Sequence, residues 1–231
     1  MRMKKKLVSL ALAAVMLTML LTGCSGNGSS GTVPEETWTT GQTSIKLLGG
    51  SWYSENGQVY VFYSVEATNR SSRTFGGSSI DVTCLDEENH GLNYSSSYIV
   101  PIAAGDTIQY STSLKYTGRT PTSIELYFAD KPYMYSDDKV SYQSEFVVKD
   151  VSSSSSSAFY TISGTVVNNS SIKQGVRVSA VFMQDGKIIG GDFGYSDPIE
   201  AGESGTFTIY LPHIFEGCDL YEVVANAYNS K

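Results

Sequence analysis

The run Pro101, Ile102, Ala103, Ala104, Gly105, Asp106 returns 97 residues later as Pro198, Ile199, Glu200, Ala201, Gly202, Glu203. Residues 60–69 likewise parallel residues 159–168 at an offset of 99, and both runs stop at Asn-x-Ser, beginning at Asn69 and Asn168. A chain that repeats itself in this way has to build one unit twice. The interval exceeds the roughly 20 to 50 residues of a solenoid unit and fits the size of one antiparallel sandwich domain.

Within each copy apolar residues alternate. Val61, Tyr63, Val65 and Ala67 occupy every second position in the first, as do Tyr160, Ile162 and Val166 in the second. Period two is the mark of a half-buried strand. Matched strands follow the Pro to Gly turn, with Tyr110, Thr112 and Leu114 against Phe207, Ile209 and Leu211, and each copy closes on a strand, residues 123–129 and 221–228. No window beyond the N-terminus carries a helical period. The predicted fold is all-β: two tandem antiparallel β-sandwich domains, residues 43–130 and 143–231, joined by a linker at residues 131–142. In this alignment residues 49–58 and the serine run 152–157 are loops inside their domains. Gly105 and Gly202 stand where a turn needs positive φ. Asp185 with Gly186 reads as a hairpin turn. Asn69 and Asn168 read as strand ends, where Asn tolerates left-handed backbone and bonds nearby main chain.

The N-terminus has a different character. Arg2, Lys4, Lys5 and Lys6 precede a 15-residue, largely apolar stretch from Leu7 to Leu21, which ends in Leu21, Thr22, Gly23, Cys24. Fifteen helical residues rise about 22 Å, short of a hydrocarbon core of roughly 30 Å, so the stretch suits a cleaved signal better than a permanent span. The quartet resembles the lipobox of bacterial lipoproteins. That resemblance implies a signal peptide at residues 1–23, a diacylglycerol on the Cys24 sulfur, and localisation at the outer face of the cell membrane. The other reading is an ordinary secretory signal cut at a small residue such as Gly23. Residues 24–42, rich in Ser, Gly, Thr and Pro, read as a flexible tether. Gly26, Gly28 and Gly31 match a dinucleotide-loop spacing, but neither strand nor helix flanks them.

Loss of residues 1–23 removes four basic and no acidic residues, which takes the net charge from −7 to −11. A nucleic-acid partner is not expected, because such binding depends on Lys and Arg displacing counterions. Two further cysteines remain. Cys84 falls on the inward side of Ile80, Val82, Cys84, whereas Cys218 sits in a turn, so two unpaired thiols are favoured over a bridge between the copies.

The second copy resembles a known module. The order Ile162, Ser163, Gly164, Thr165, Val166, Val167, Asn168, Asn169, Ser170, then residues 176–182, Asp185, Gly186, residues 198–202 and Phe207, is similar to FxLYD-type immunoglobulin-like domains of Gram-positive lipoproteins. It covers about residues 143–231, with a weaker echo over 43–130. The resemblance implies an immunoglobulin-like, non-catalytic, extracytoplasmic module.

Catalytic signals are sparse. His90 and His213 occupy unmatched places, and Cys84 points away from the hairpin tip that carries His90. No known nucleophile, zinc or phosphate motif occurs, and Asp86, Glu87 and Glu88 lack the alternating ligands of a calcium loop. Neither cofactor nor metal is expected. The one compositional excess that suits binding is the 16 tyrosines. Tyr94, Tyr98, Tyr133, Tyr135 and Tyr142 fall in or near loops and the linker, where a ring with a hydroxyl can stack on a sugar or line a peptide groove. The expected function is a membrane-anchored adhesion or envelope-assembly module holding another envelope protein. The alternative is a binding protein for a wall polymer, glycan or peptide that uses those tyrosines.

Overall fold

The computed structural model describes residues 29–33, 37–39 and 41–228. The expected signal peptide at residues 1–23 and the expected lipidation site Cys24 lie outside the described residues. Two short strands, β1 (Ser29–Val33) and β2 (Thr37–Thr39), precede β3 (Thr43–Glu55), β4 (Gln58–Asn69), β5 (Thr74–Phe75), β6 (Ser78–Leu85), β7 (Gly91–Ile99), β8 (Thr107–Thr117) and β9 (Ser123–Tyr127). After β10 (Tyr135–Ser136) the second half runs β11 (Phe146–Ser155), β12 (Tyr160–Asn168), β13 (Gln174–Gln184), β14 (Lys187–Gly190), β15 (Phe193–Ile199), β16 (Ser204–Leu211) and β17 (Asp219–Ala227). Among the described residues the only helical pieces are three single 3₁₀ turns. The protein is all-β, and every strand pairing is antiparallel.

Each half consists of two sheets over one core. In the first, β3-β4-β8 faces β7-β6-β9. Ile45, Leu47, Val61, Val65, Ile108 and Tyr110 from one sheet pack with Ile80, Val82, Ile124 and Leu126 from the other. In the second, β11-β12-β16 faces β13 with its neighbours β14, β15 and β17, and Ile162, Val166, Phe207 and Ile209 meet Val176, Val178, Ala180 and Phe182. The inward residues are those the alternation singled out. Free Cys84 is fully buried among them, so no bridge joins it to Cys218; the expectation of two unpaired thiols holds at Cys84 alone, since Cys218, half-buried beside the second core, is not a free thiol.

The two repeated sequence motifs of each half bond to one another. Asn69 is wholly buried, and its amide donates to Arg73 O, Ile102 O and Ala103 O at 2.8 to 3.1 Å while accepting from Ser71 N. Asn168 does the same with Ile172 O, Ile199 O and Ser170 N. Both residues end their strands and bond main chain as expected, but neither adopts positive φ: these amides close the Asn-x-Ser turn onto the Pro-Ile-x-Ala-Gly turn. Gly105 and Gly202 do lie at φ +73 and +79, and Asp185 and Gly186 at +52 and +75, as their turns require.

Four expectations for loops, tether and linker change. Residues 49–58 are mostly strand, since β3 runs on to Glu55 and turns at Asn56 and Gly57. The serine run belongs to its expected half, but Ser152–Ser155 pair with β12 after a bulge. Part of the tether pairs as well, β1 along residues 50–54 and β2 along residues 44–46 of β3. Exposed backbone groups at a sheet edge accept any nearby extended segment, whatever its composition. The linker is tied down too. Tyr135 pairs with Phe75, Arg73 Nε donates to Asp137 at 2.9 Å, and Val140 enters the second core.

The halves stack face to face. β13 is buried on both sides over residues 174–182, so β13 and its neighbours pack on β11-β12-β16 with one face and on the outer face of β3-β4-β8 with the other. The contact is aromatic at one end, where Phe62 of the first half meets Phe215 at 5.1 Å and Phe215 meets Phe182 at 4.8 Å. At the other end it is polar, and the buried Arg177 guanidinium donates to Ser111 O at 2.9 Å and lies 3.7 Å from the Phe193 ring centroid.

Candidate functional site

A bulge between Leu47 and Gly49 exchanges the faces of β3. Before it Ile45 and Leu47 enter the first core; beyond it Trp52 faces that core while Ser51 and Tyr53 turn toward the second half. Ser51 Oγ donates to Ile189 O there at 2.7 Å. Tyr53 pairs with Tyr60 across the strands, with ring centroids 6.0 Å apart. The alternation of β4 that sends Val59, Val61 and Tyr63 inward sends Tyr60 and Phe62 outward.

These outward rings border a groove of about 740 Å³ between the halves. The first half contributes Tyr53, Tyr60 and Phe62. The second contributes Phe159, at the turn into β12, and Tyr210 on β16, whose rings meet edge to face at 5.7 Å and are 50% and 62% exposed. Thus each half brings one aromatic pair. Polar groups are few: Glu55, Ser113, Lys115, Ser157, Asp192 and His213. Lys115 Nζ stands 4.8 Å from the Tyr60 ring centroid.

Asp192 is the most constrained of them. Its carboxylate accepts from Ser113 Oγ of the first half at 2.8 Å and from Phe193 N at 2.9 Å. Burial pushes its pKa above the usual carboxylate range, against the two hydrogen bonds and nearby Arg177. Burial, with Glu55 beside it, likewise raises the Tyr53 hydroxyl to about 12, so that hydroxyl is a neutral donor at physiological pH. The site offers ring faces, hydroxyls and carboxylates, the equipment of a binding groove.

The five tyrosines singled out by sequence do not come together, and none lines this groove. Tyr94 and Tyr98 stand on β7, 78% and 43% exposed. Tyr133 lies beside Lys131. Tyr135 is half-buried, its ring 5.8 Å from Phe75 and its hydroxyl bonded to Thr43 and Asp130. Tyr142 donates to Ala104 O at 3.4 Å and borders a separate cleft of about 460 Å³. A signal for the groove was present: Tyr60 and Phe159 are equivalent under the 99-residue offset, and both fall on the outward side of their strands. Among the described residues no three His, Cys, Asp or Glu side chains are grouped to hold a metal. No protein-family model matches the chain, and no curated protein sequence is significantly similar to it.

Proposed function

We propose that this is a non-catalytic, lipid-anchored protein of the outer membrane face that binds an envelope glycan or peptide in the groove between its halves. One observation carries the reading: an exposed aromatic pair, Phe159 with Tyr210, and a half-buried one, Tyr53 with Tyr60, from two different halves line one cleft whose volume is that of an ordinary small-ligand site. Such a groove fits a discrete ligand better than the flat contact of an adhesion module, so binding moves ahead of adhesion. The adhesion reading keeps a narrower basis in β7, an edge strand with Tyr94 and Tyr98 exposed.

The anchor is supported by the Leu21, Thr22, Gly23, Cys24 quartet. Cys24→Ala is expected to move the protein from the membrane fraction to the medium; continued membrane association after a high-salt wash would remove the anchor from the proposal. The groove is tested by retention on protein-stripped envelopes. Replacing both Phe159 and Tyr210 with Ala, at exposed positions outside both cores, should weaken retention about tenfold, equivalent to about 1.4 kcal/mol. Equal retention of the double variant and the parent would rule the groove out as the binding site.

A further inference from the structure

We infer that the groove opens toward the bilayer and receives the neutral sugar headgroup of a lipid in the leaflet that holds the N-terminus; this rests on the binding reading above and on acylation of Cys24. The orientation comes from strand register. β1 runs antiparallel to the far end of β3, with Ser29 opposite Ser54 and Ser30 opposite Tyr53. Paired strands lie about 4.8 Å apart, so the Ser30 backbone is one strand spacing from a residue that lines the groove.

Cys24 precedes Ser29 by five residues, a reach of about 17 Å at full extension. The opposite end of the molecule holds the Gly105 turn, where Gly105 N bonds Ser71 O beyond the end of β4. From Tyr60 to Asn69 that strand carries the chain roughly 30 Å away from the groove. A lipid on Cys24 therefore holds the groove end, not the turn end, against the membrane. The reverse register would have turned the groove outward.

The lining selects the ligand. An acyl chain would press hydrocarbon against the carboxyl groups of Glu55 and Asp192 and offer them no hydrogen-bond partner. A peptide gains most of its affinity by adding to a free strand edge, whereas the Tyr53 and Tyr60 surface is the side-chain face of strands whose backbones are already paired. A sugar matches both parts, its C–H faces against Tyr53, Tyr60, Phe159 and Tyr210, its hydroxyls donating to Glu55 and Asp192. Those carboxylates, on a body of net charge −11, favour a neutral headgroup over a phosphorylated one.

The test uses the full lipidated chain in phosphatidylcholine nanodiscs. With a nitroxide on a lipid headgroup, amide signals of Tyr53, Phe159 and Tyr210 should broaden while those of Gly105 and Gly202 stay sharp. Added diglucosyl-diacylglycerol should shift the groove signals at a concentration at least about tenfold below that needed with free diglucose, because both partners share one surface. Phe159→Ala with Tyr210→Ala should abolish the shift and leave the broadening unchanged. Broadening at Gly105 and Gly202 instead, or equal potency of the free sugar, would overturn the inference while the binding reading stands. If neither sugar shifts the groove, the ligand assignment is wrong, and envelope retention by the same double variant then decides whether the binding reading falls with it.

Discussion

Two asparagines explain why the sequence repeats where it does. Asn69 and Asn168 each satisfy buried carbonyls of a turn some thirty residues further along, so each half closes through one amide. Removing that amide leaves several acceptors dry, at about 1–3 kcal/mol apiece before relaxation. Asn168→Ala should therefore lower unfolding stability by about 3 kcal/mol, read from the urea midpoint, and Asn168→Asp should not restore it, because a carboxylate cannot donate. Cys84 tests the core at the same scale. Burial holds its thiol up at about 11, so in the native protein it should resist alkylation at mildly alkaline pH and react at the rate of global unfolding; prompt labelling would contradict the packing. Asp192 sets a pH dependence. An acid whose folded pKa lies above its unfolded value binds more protons when folded, so stability falls as it ionises. Denaturant midpoints of the parent should decline from about pH 4 toward neutrality relative to Asp192→Asn.

At the scale of elements, the bulge in β3 and the hairpin from β13 to β14 bring the halves into contact. A Cβ on Gly190 would stand 2.6 Å from the carbonyl of Phe62, at φ +90, so this position must be glycine both for its conformation and for the approach of another backbone. Gly190→Ala should cost about 3 kcal/mol, roughly 10 °C in Tm, and reduce the near-ultraviolet signal of the Phe62, Phe215 and Phe182 contact. An unchanged spectrum would show that the two backbones have room to separate. β13 is the other decisive element. Its run of Val176, Val178, Ala180, Val181 and Phe182 around Arg177 and Ser179 is apolar on one face and mixed on the other, which suits a strand between two protein layers.

For the whole molecule, stacking makes the halves interdependent. Phe62 belongs to the second core although it lies on a strand of the first half, and the guanidinium of Arg177, buried between the halves, donates to Ser111 O of the other half. Calorimetry should show one transition whose van't Hoff and calorimetric enthalpies agree. Two resolved transitions would mean that the halves fold and hinge separately.

The sequence by itself determined the all-β class, the duplication, the strands of each core, the inward aspect of Cys84, and the glycine turns. These follow from a period of two and from φ values that few residues tolerate, properties local to a strand or a turn. Only the tertiary structure decided what the outward residues meet. Tyr53, Tyr60, Ser64 and Ser111 alternate in the same way whether their face looks on water or on another sheet, and serine and tyrosine are at home in both. The face-to-face stacking, and with it a groove lined by aromatic residues other than the five tyrosines singled out, depends on contacts between residues far apart in the chain, such as Phe62 with Phe215 and Ser111 with Arg177, and the pairing of β1 and β2 with β3 joins segments that carry no strand alternation of their own. Alternation within one strand carries no record of them.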